Sequence, residues 1–154
     1  EGEIIGLFLE QEIPRGLTPK ETIERIRDQG GLVTVPHPLD RLRGSRLREA
    51  ALRRVAQLVD AIEVINARVT FPGDNRRAAE FAEQHGLTIT AGSDSHAPHE
   101  VGTAYVLLDE PPAHEPAALL AQLQRARASG GLSRPTVHFH SIAARWRKRL
   151  GLVP

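Results

Sequence analysis

The residues with the most chemical reach in this chain lie in three short stretches. AGSDSHAPHE, residues 91–100, carries Asp94, His96 and His99. PHPLDRLR, residues 36–43, carries His37, Arg41 and Arg43, and IEVINAR, residues 62–68, carries Glu63, Asn66 and Arg68. A carboxylate and an imidazole two positions apart can reach one cation if the turn between them is tight, and Gly92, Ser93 and Ser95 are the small residues such a turn needs. The chain has no cysteine, so a metal would have to be held by His, Asp, Glu or water. That donor set suits Zn²⁺, Mn²⁺ or Fe²⁺. Arg41, Arg43 and Arg68 could grip phosphate oxygens bidentately. The plain alternative for each residue alone is structural: an aspartate capping a turn, a hydrogen-bonded histidine, a solvated arginine. Occurring together at several strand ends, they favour a site.

These positions make sense only if strands deliver them. Glu3 to Glu10, Leu32 to Pro36, Ala61 to Asn66 and Leu87 to Ala91 are short apolar runs that read as buried strands. Between them the spacing predicts helices over Pro19–Gln29, Arg46–Val59 and Asn75–His85. The first has Thr18, Pro19 and Glu21 as a capping box, and the third has Asp74 as its cap. A weaker strand over Thr103–Asp109 and a helix from Pro116 to Ala128 follow, then a turn at SGGLSRP. The pattern predicts parallel strands alternating with helices. In such folds ligands bind beyond the carboxyl ends of the strands, which would gather His37, Asp94 and His96 on one rim.

The 154 residues, 40% apolar and 25% charged, suffice for one domain with a real core. The net charge of +1 makes no global case for nucleic acid or membrane. No apolar run approaches the about 20 residues that span a bilayer, and no signal peptide is visible. A cytoplasmic location is expected. The chain has no methionine and opens at Glu1, almost inside an apolar run, so it is expected to be part of a longer protein.

GLVTVPHPLDRLR, DAIEVINAR and ITAGSDSH, in that order, resemble the PHP (polymerase and histidinol phosphatase) superfamily of metal-dependent phosphoesterases. GEIIGLFL fits the same family, and the resemblance covers residues 1–108. It implies a partial or distorted (β/α)7 barrel with two or three divalent ions at the mouth of a complete site. Asp94 and His96 match the family's late Asp-x-His ligands, and His37 matches the histidine of a strand-end His-Pro element. Glu3 lies where many members carry a ligand histidine. Glu63 matches a strand glutamate that supports ligands, together with Asn66. The family's opening His-x-His segment has no counterpart here. The one close histidine pair, His138-x-His140, is expected in a loop before a basic amphipathic helix at 141–150.

The resemblance implies hydrolysis of phosphate mono- or diesters, including nucleotides, by metal-activated water. The same ions would offset the growing transition-state charge. Asp94 and His96 would carry the chemistry, Arg68, Arg41 and Arg43 would bind the ester, and His99 could protonate the leaving oxygen. With half of the ligand set, this chain is expected to have little activity by itself. The rival readings are a non-catalytic PHP-like binding or scaffold module, a nucleic-acid contact through the 141–150 helix with Trp146, and another barrel hydrolase such as an amidohydrolase.

Overall fold

The computed structural model describes residues 2–133. The basic helix expected over 141–150 and the His138-x-His140 pair lie outside them. Three apolar runs do form parallel strands: β2 (Leu32–Val35), β3 (Ala61–Asn66) and β4 (Thr88–Gly92). Val35 lies opposite Ile62, and Ile62 opposite Ile89. β1 (Ile5–Leu7) completes a sheet of order β1-β2-β3-β4, but it runs antiparallel, with Gly6 opposite Val33. The sequence predicts a longer buried strand there, over Glu3–Glu10. An antiparallel edge strand on an otherwise parallel sheet is common, and with one neighbour it leaves Ile5 44% exposed.

Three helices connect these strands, α1 (Pro19–Asp28), α2 (Glu49–Val55) and α3 (Pro72–His85), and α4 (Pro116–Leu123) follows further along the chain. The capping box of α1 forms as expected: the Thr18 hydroxyl accepts from the Glu21 amide at 3.3 Å and the Glu21 carboxylate accepts from the Thr18 amide at 2.8 Å. Ile23 and Ile26 of α1 bury against Val33 and Val35, joined by Leu47, Leu52 and Val55 from around α2, Ile62 from β3 and Phe81 from α3. Arg27 clamps Asp60 through two bonds of 2.6 and 2.8 Å, and Asp60 accepts the Val33 amide at 2.7 Å. That cluster ties α1 to β2 and to the entry of β3.

Two helices start elsewhere than expected. α2 begins at Glu49 and gives way to a 3-10 turn over Ala56–Leu58, which leaves Leu58 42% exposed. α3 begins at Pro72, whose ring pre-sets the first helical residue. Asp74 therefore lies within the first turn, buried, instead of capping it.

The C-terminal part departs furthest. α4 ends at Leu123, and β6 (Arg127–Gly130) pairs antiparallel with β5 (Ala104–Leu107), in a separate two-stranded sheet. Sequence reading places helix and turn here because RASG has little strand propensity; pairing with β5 overrides it. Among the described residues the strands thus form a mixed α/β arrangement of two sheets, and no closed barrel. No helix among them is long and apolar enough to cross a membrane.

Candidate metal-binding rim

β2, β3 and β4 end side by side. Asn66 at the end of β3 lies opposite Gly92 at the end of β4, and the Ala67 amide continues the ladder to the Gly92 carbonyl at 3.0 Å. His37 and Asp94 each follow a strand end by two residues, and both take a left-handed backbone, φ +30° and +49°. That region is sparsely used by residues other than glycine, with Asp and His among the more tolerant types. Such outliers gather where the surroundings over-determine them.

Glu63 is the organiser below this rim. Its Oε2 accepts from the His37 amide at 2.6 Å and from Asn66 Nδ2 at 2.9 Å. Gly92 makes room for it: a Cβ on Gly92 would stand 2.5 Å from Glu63 Oε1. Burial pushes the Glu63 carboxyl above its ordinary pKa, outweighing the bonds from Asn66 and the His37 amide. Asn66 is held from behind by α3, where Asn75 accepts its amide and donates to its carbonyl, both at 3.1 Å. The Asn66 Nδ2 also approaches Asp94 Oδ2 at 3.4 Å.

The sequence-predicted residues distribute as follows. His37 is 6% exposed, with Nε2 3.1 Å from Glu3 Oε2. Burial, then the neighbouring Arg43 charge, hold its imidazole below the ordinary pKa despite Glu3 and Asp94. A neutral His37 donating from Nε2 leaves Nδ1 a bare acceptor, and Nδ1 is buried without a partner. Asp94 is ion-paired with Arg43 Nη2. Arg43 Nε lies 3.6 Å from Asp40 Oδ2. His96 is exposed and turns Nδ1 to the Asp94 carbonyl at 2.9 Å.

Two arginines expected at substrate have other partners. Arg68 is 4% exposed and bonds Glu100 at 2.6 Å in a buried pair. Arg41 lies 2.9 Å from Asp74 through Nε and stacks over the Phe71 ring at 4.6 Å. His99 is exposed, in the 3-10 turn Pro98–Glu100. Three carboxylates that sequence reasoning did not assign to the site therefore matter: Asp40, Asp74 and Glu100. Asp40, the first residue of DRLR, and Glu100, directly after Pro98-His99, were the available signals, but nothing local names their partners.

Among the described residues no group of three or more His, Asp or Glu is arranged to hold a metal ion. The expected set of His37, Asp94, His96 and Glu3 comes together only in part. Asp94 meets a guanidinium, His37 meets Glu3, and the His96 ring meets backbone. As arranged, these residues do not fit a metal ion. A cavity of about 830 Å³ lies beside Glu3, lined mainly by residues 2–17, and does not include His37, Asp94 or His96.

Residues 72–128 match the family model described as PHP-associated. The chain is 39% identical over 112 residues to the uncharacterized protein MJ0417 of Methanocaldococcus jannaschii, covering 71% of this chain and 47% of that protein. It is 52% identical over 68 residues to the uncharacterized protein MJ1587 of the same organism, 44% of this chain and 37% of that protein. The chain thus spans less than half the length of the curated relatives it matches. A solved two-domain protein from Bacteroides vulgatus, containing a predicted PHP-like metal-dependent phosphoesterase, superposes with a TM-score of 0.59 at 19% identity, over 83% of this chain and 40% of that one. At that identity the likeness concerns the fold. The segment similar to the PHP-associated family model includes AGSDSH.

Proposed function

We propose that this chain supplies one side of a metal-dependent phosphoesterase site, hydrolysing phosphate mono- or diesters, and that it is a single domain forming part of a distorted (β/α)7 barrel. The observation that carries the reading is the convergence of His37 and Asp94, braced by Glu63 and Asn66, beyond three adjacent parallel strand ends. A divalent ion, Zn²⁺, Mn²⁺ or Fe²⁺, is the cofactor this donor chemistry suits. The chain's own residues pre-position the rim: Glu63 fixes the His37 backbone, and Asn66 steers the Asp94 carboxylate. The expected substrate class is phosphate esters, nucleotides among them. A nucleic-acid contact would fall on 141–150, and a cytoplasmic location is the expectation that goes with this reading.

One observation favours the second reading, a non-catalytic binding or scaffold module: Arg43 already neutralises Asp94. The deciding experiment offers p-nitrophenyl phosphate, a diester and an amide to the chain in Mn²⁺ or Zn²⁺, with Asp94→Asn as control. Low phosphate-ester turnover, absent from the variant, is the expected result. Amide turnover, or phosphate turnover indifferent to Asp94, overturns the proposal. No turnover of any substrate while the cation still binds favours the module.

A further inference from the structure

The cavity of about 830 Å³ beside Glu3 has a mixed lining. Ile4, Leu9 and Ile13 are half-buried against the core and give it apolar walls. Glu3, Glu10 and Glu12 are exposed on the same lining, where Arg15 is the only basic residue. Apolar walls under an acidic border suit a segment that is apolar along one face and cationic on its flanks. The chain carries such a segment itself. In sequence, Ile142, Trp146 and Leu150 recur at a spacing that one face of a helix gathers, and Arg145 and Arg149 flank that stripe. We propose that residues 141–150 dock in this groove of their own chain, with Trp146 against the apolar walls and Arg145 and Arg149 beside Glu10 and Glu12. The docking stands apart from the phosphoesterase reading, because it uses neither Asp94 nor His96.

The connection has the reach. The described residues end at Ser133, whose amide bonds the Ala67 carbonyl at 2.7 Å just beyond the end of β3. Glu3 lies by the same strand ends, 3.1 Å from His37 Nε2. Only β2 separates β1 from β3, so the near edge of the groove is about two inter-strand spacings, or roughly 10 Å, from Ala67. Residues 134–140 can span about 23 Å when extended. A tether of that length holds the segment at an effective concentration on the order of millimolar, which favours the chain's own groove over that of a second copy. The charges agree with the geometry: the segment brings Arg145, Arg147, Lys148 and Arg149 to a border where carboxylates outnumber cations. Such complementarity chooses the partner and its register more than it sets the affinity.

Trp146 is the only tryptophan in the chain, so its fluorescence reports the docking in the whole protein. The expected result is a blue-shifted emission protected from acrylamide quenching and unchanged on dilution. Glu10→Lys with Glu12→Lys reverses the border at two exposed positions, which the fold tolerates. That variant is expected to lose the blue shift and the protection, as is Arg145→Glu with Arg149→Glu. All four substitutions together are expected to restore both. Lys148→Glu, on the far side of the stripe, should change neither. A wild-type emission like that of tryptophan in water overturns the docking. Protection that survives both charge reversals overturns it too, because Trp146 is then covered elsewhere. Failure of the fourfold variant to restore protection overturns the pairing of Arg145 and Arg149 with Glu10 and Glu12. Protection lost on dilution places a second copy in the groove and overturns docking within one chain.

Discussion

Arg68 and Glu100 illustrate how far a side chain's role can lie from its motif. Arg68 follows the strand IEVIN and, read alone, suits a phosphate oxyanion. It is instead one half of a buried ion pair whose other half is 32 residues away, a distance no local pattern bridges. Breaking such a pair from one side leaves an uncompensated buried charge, at a cost of about 3–5 kcal/mol. Arg68→Met is therefore expected to lose stability on that order in urea denaturation. Glu100→Gln is expected to lose stability on the same order, because it removes the carboxylate that compensates the buried Arg68 charge. The pair also has a pH signature. Burial alone would raise the Glu100 pKa, but the bond from Arg68, the His96 amide and the Arg68 charge more than offset it, so the carboxyl lies below its ordinary value. A group whose folded pKa is depressed stabilises the fold above its unfolded pKa, about 4.3 for glutamate, and that contribution is lost as pH falls through the folded value. Wild-type stability should thus decline below that range, and Glu100→Gln should flatten the decline. A decline of equal slope in both proteins would place the acid sensitivity elsewhere.

Strands and helices were legible where local chemistry alone decides them. Thr18, Pro19 and Glu21 announce α1, and the β-branched runs announce β2 and β3, whose ends deliver His37 and Asn66. What was not legible is decided by partners remote in sequence: the antiparallel turn of β1, the pairing of RASG with β5, and the guanidinium on Asp94. Gly92 belongs to both kinds. Its smallness was visible as turn chemistry, but the reason for it is the Glu63 carboxylate, which occupies the space a Cβ would need. Gly92→Ala is expected to push Glu63 aside, loosening its bonds to the His37 amide and Asn66. Overpacking of this kind costs about 1–3 kcal/mol. The discriminating readout is local: the His37 amide should lose hydrogen-exchange protection while the α1 amides keep theirs. Unchanged protection at His37 would mean that the carboxylate is not what the missing side chain makes room for.

The described residues form two sheets, and the rim lies beside their junction. β4 and β5 share no ladder, yet the Ser93 hydroxyl joins them, donating to the Ala104 carbonyl at 3.0 Å and accepting from the Ala104 amide at 3.3 Å. Ser93 directly precedes Asp94, so one turn both fastens the second sheet and presents the carboxylate. Ser95 and Gly92 read equally well as small turn residues, and nothing in the sequence separates Ser93 from them. Ser93→Ala would leave the two backbone groups of Ala104 without this partner, where a buried polar group left unpaired costs about 1–3 kcal/mol. If the hydroxyl is what couples the sheets, Ala104 and its β6 partner Gly130 should exchange faster in the variant, by about tenfold for each 1.4 kcal/mol lost. Amides of β2 and β3 should keep their rates, because their ladder and the core behind it do not pass through Ser93. A uniform acceleration across both sheets would instead mean that they open as one cooperative unit, with Ser93 contributing to global stability and not to the junction alone.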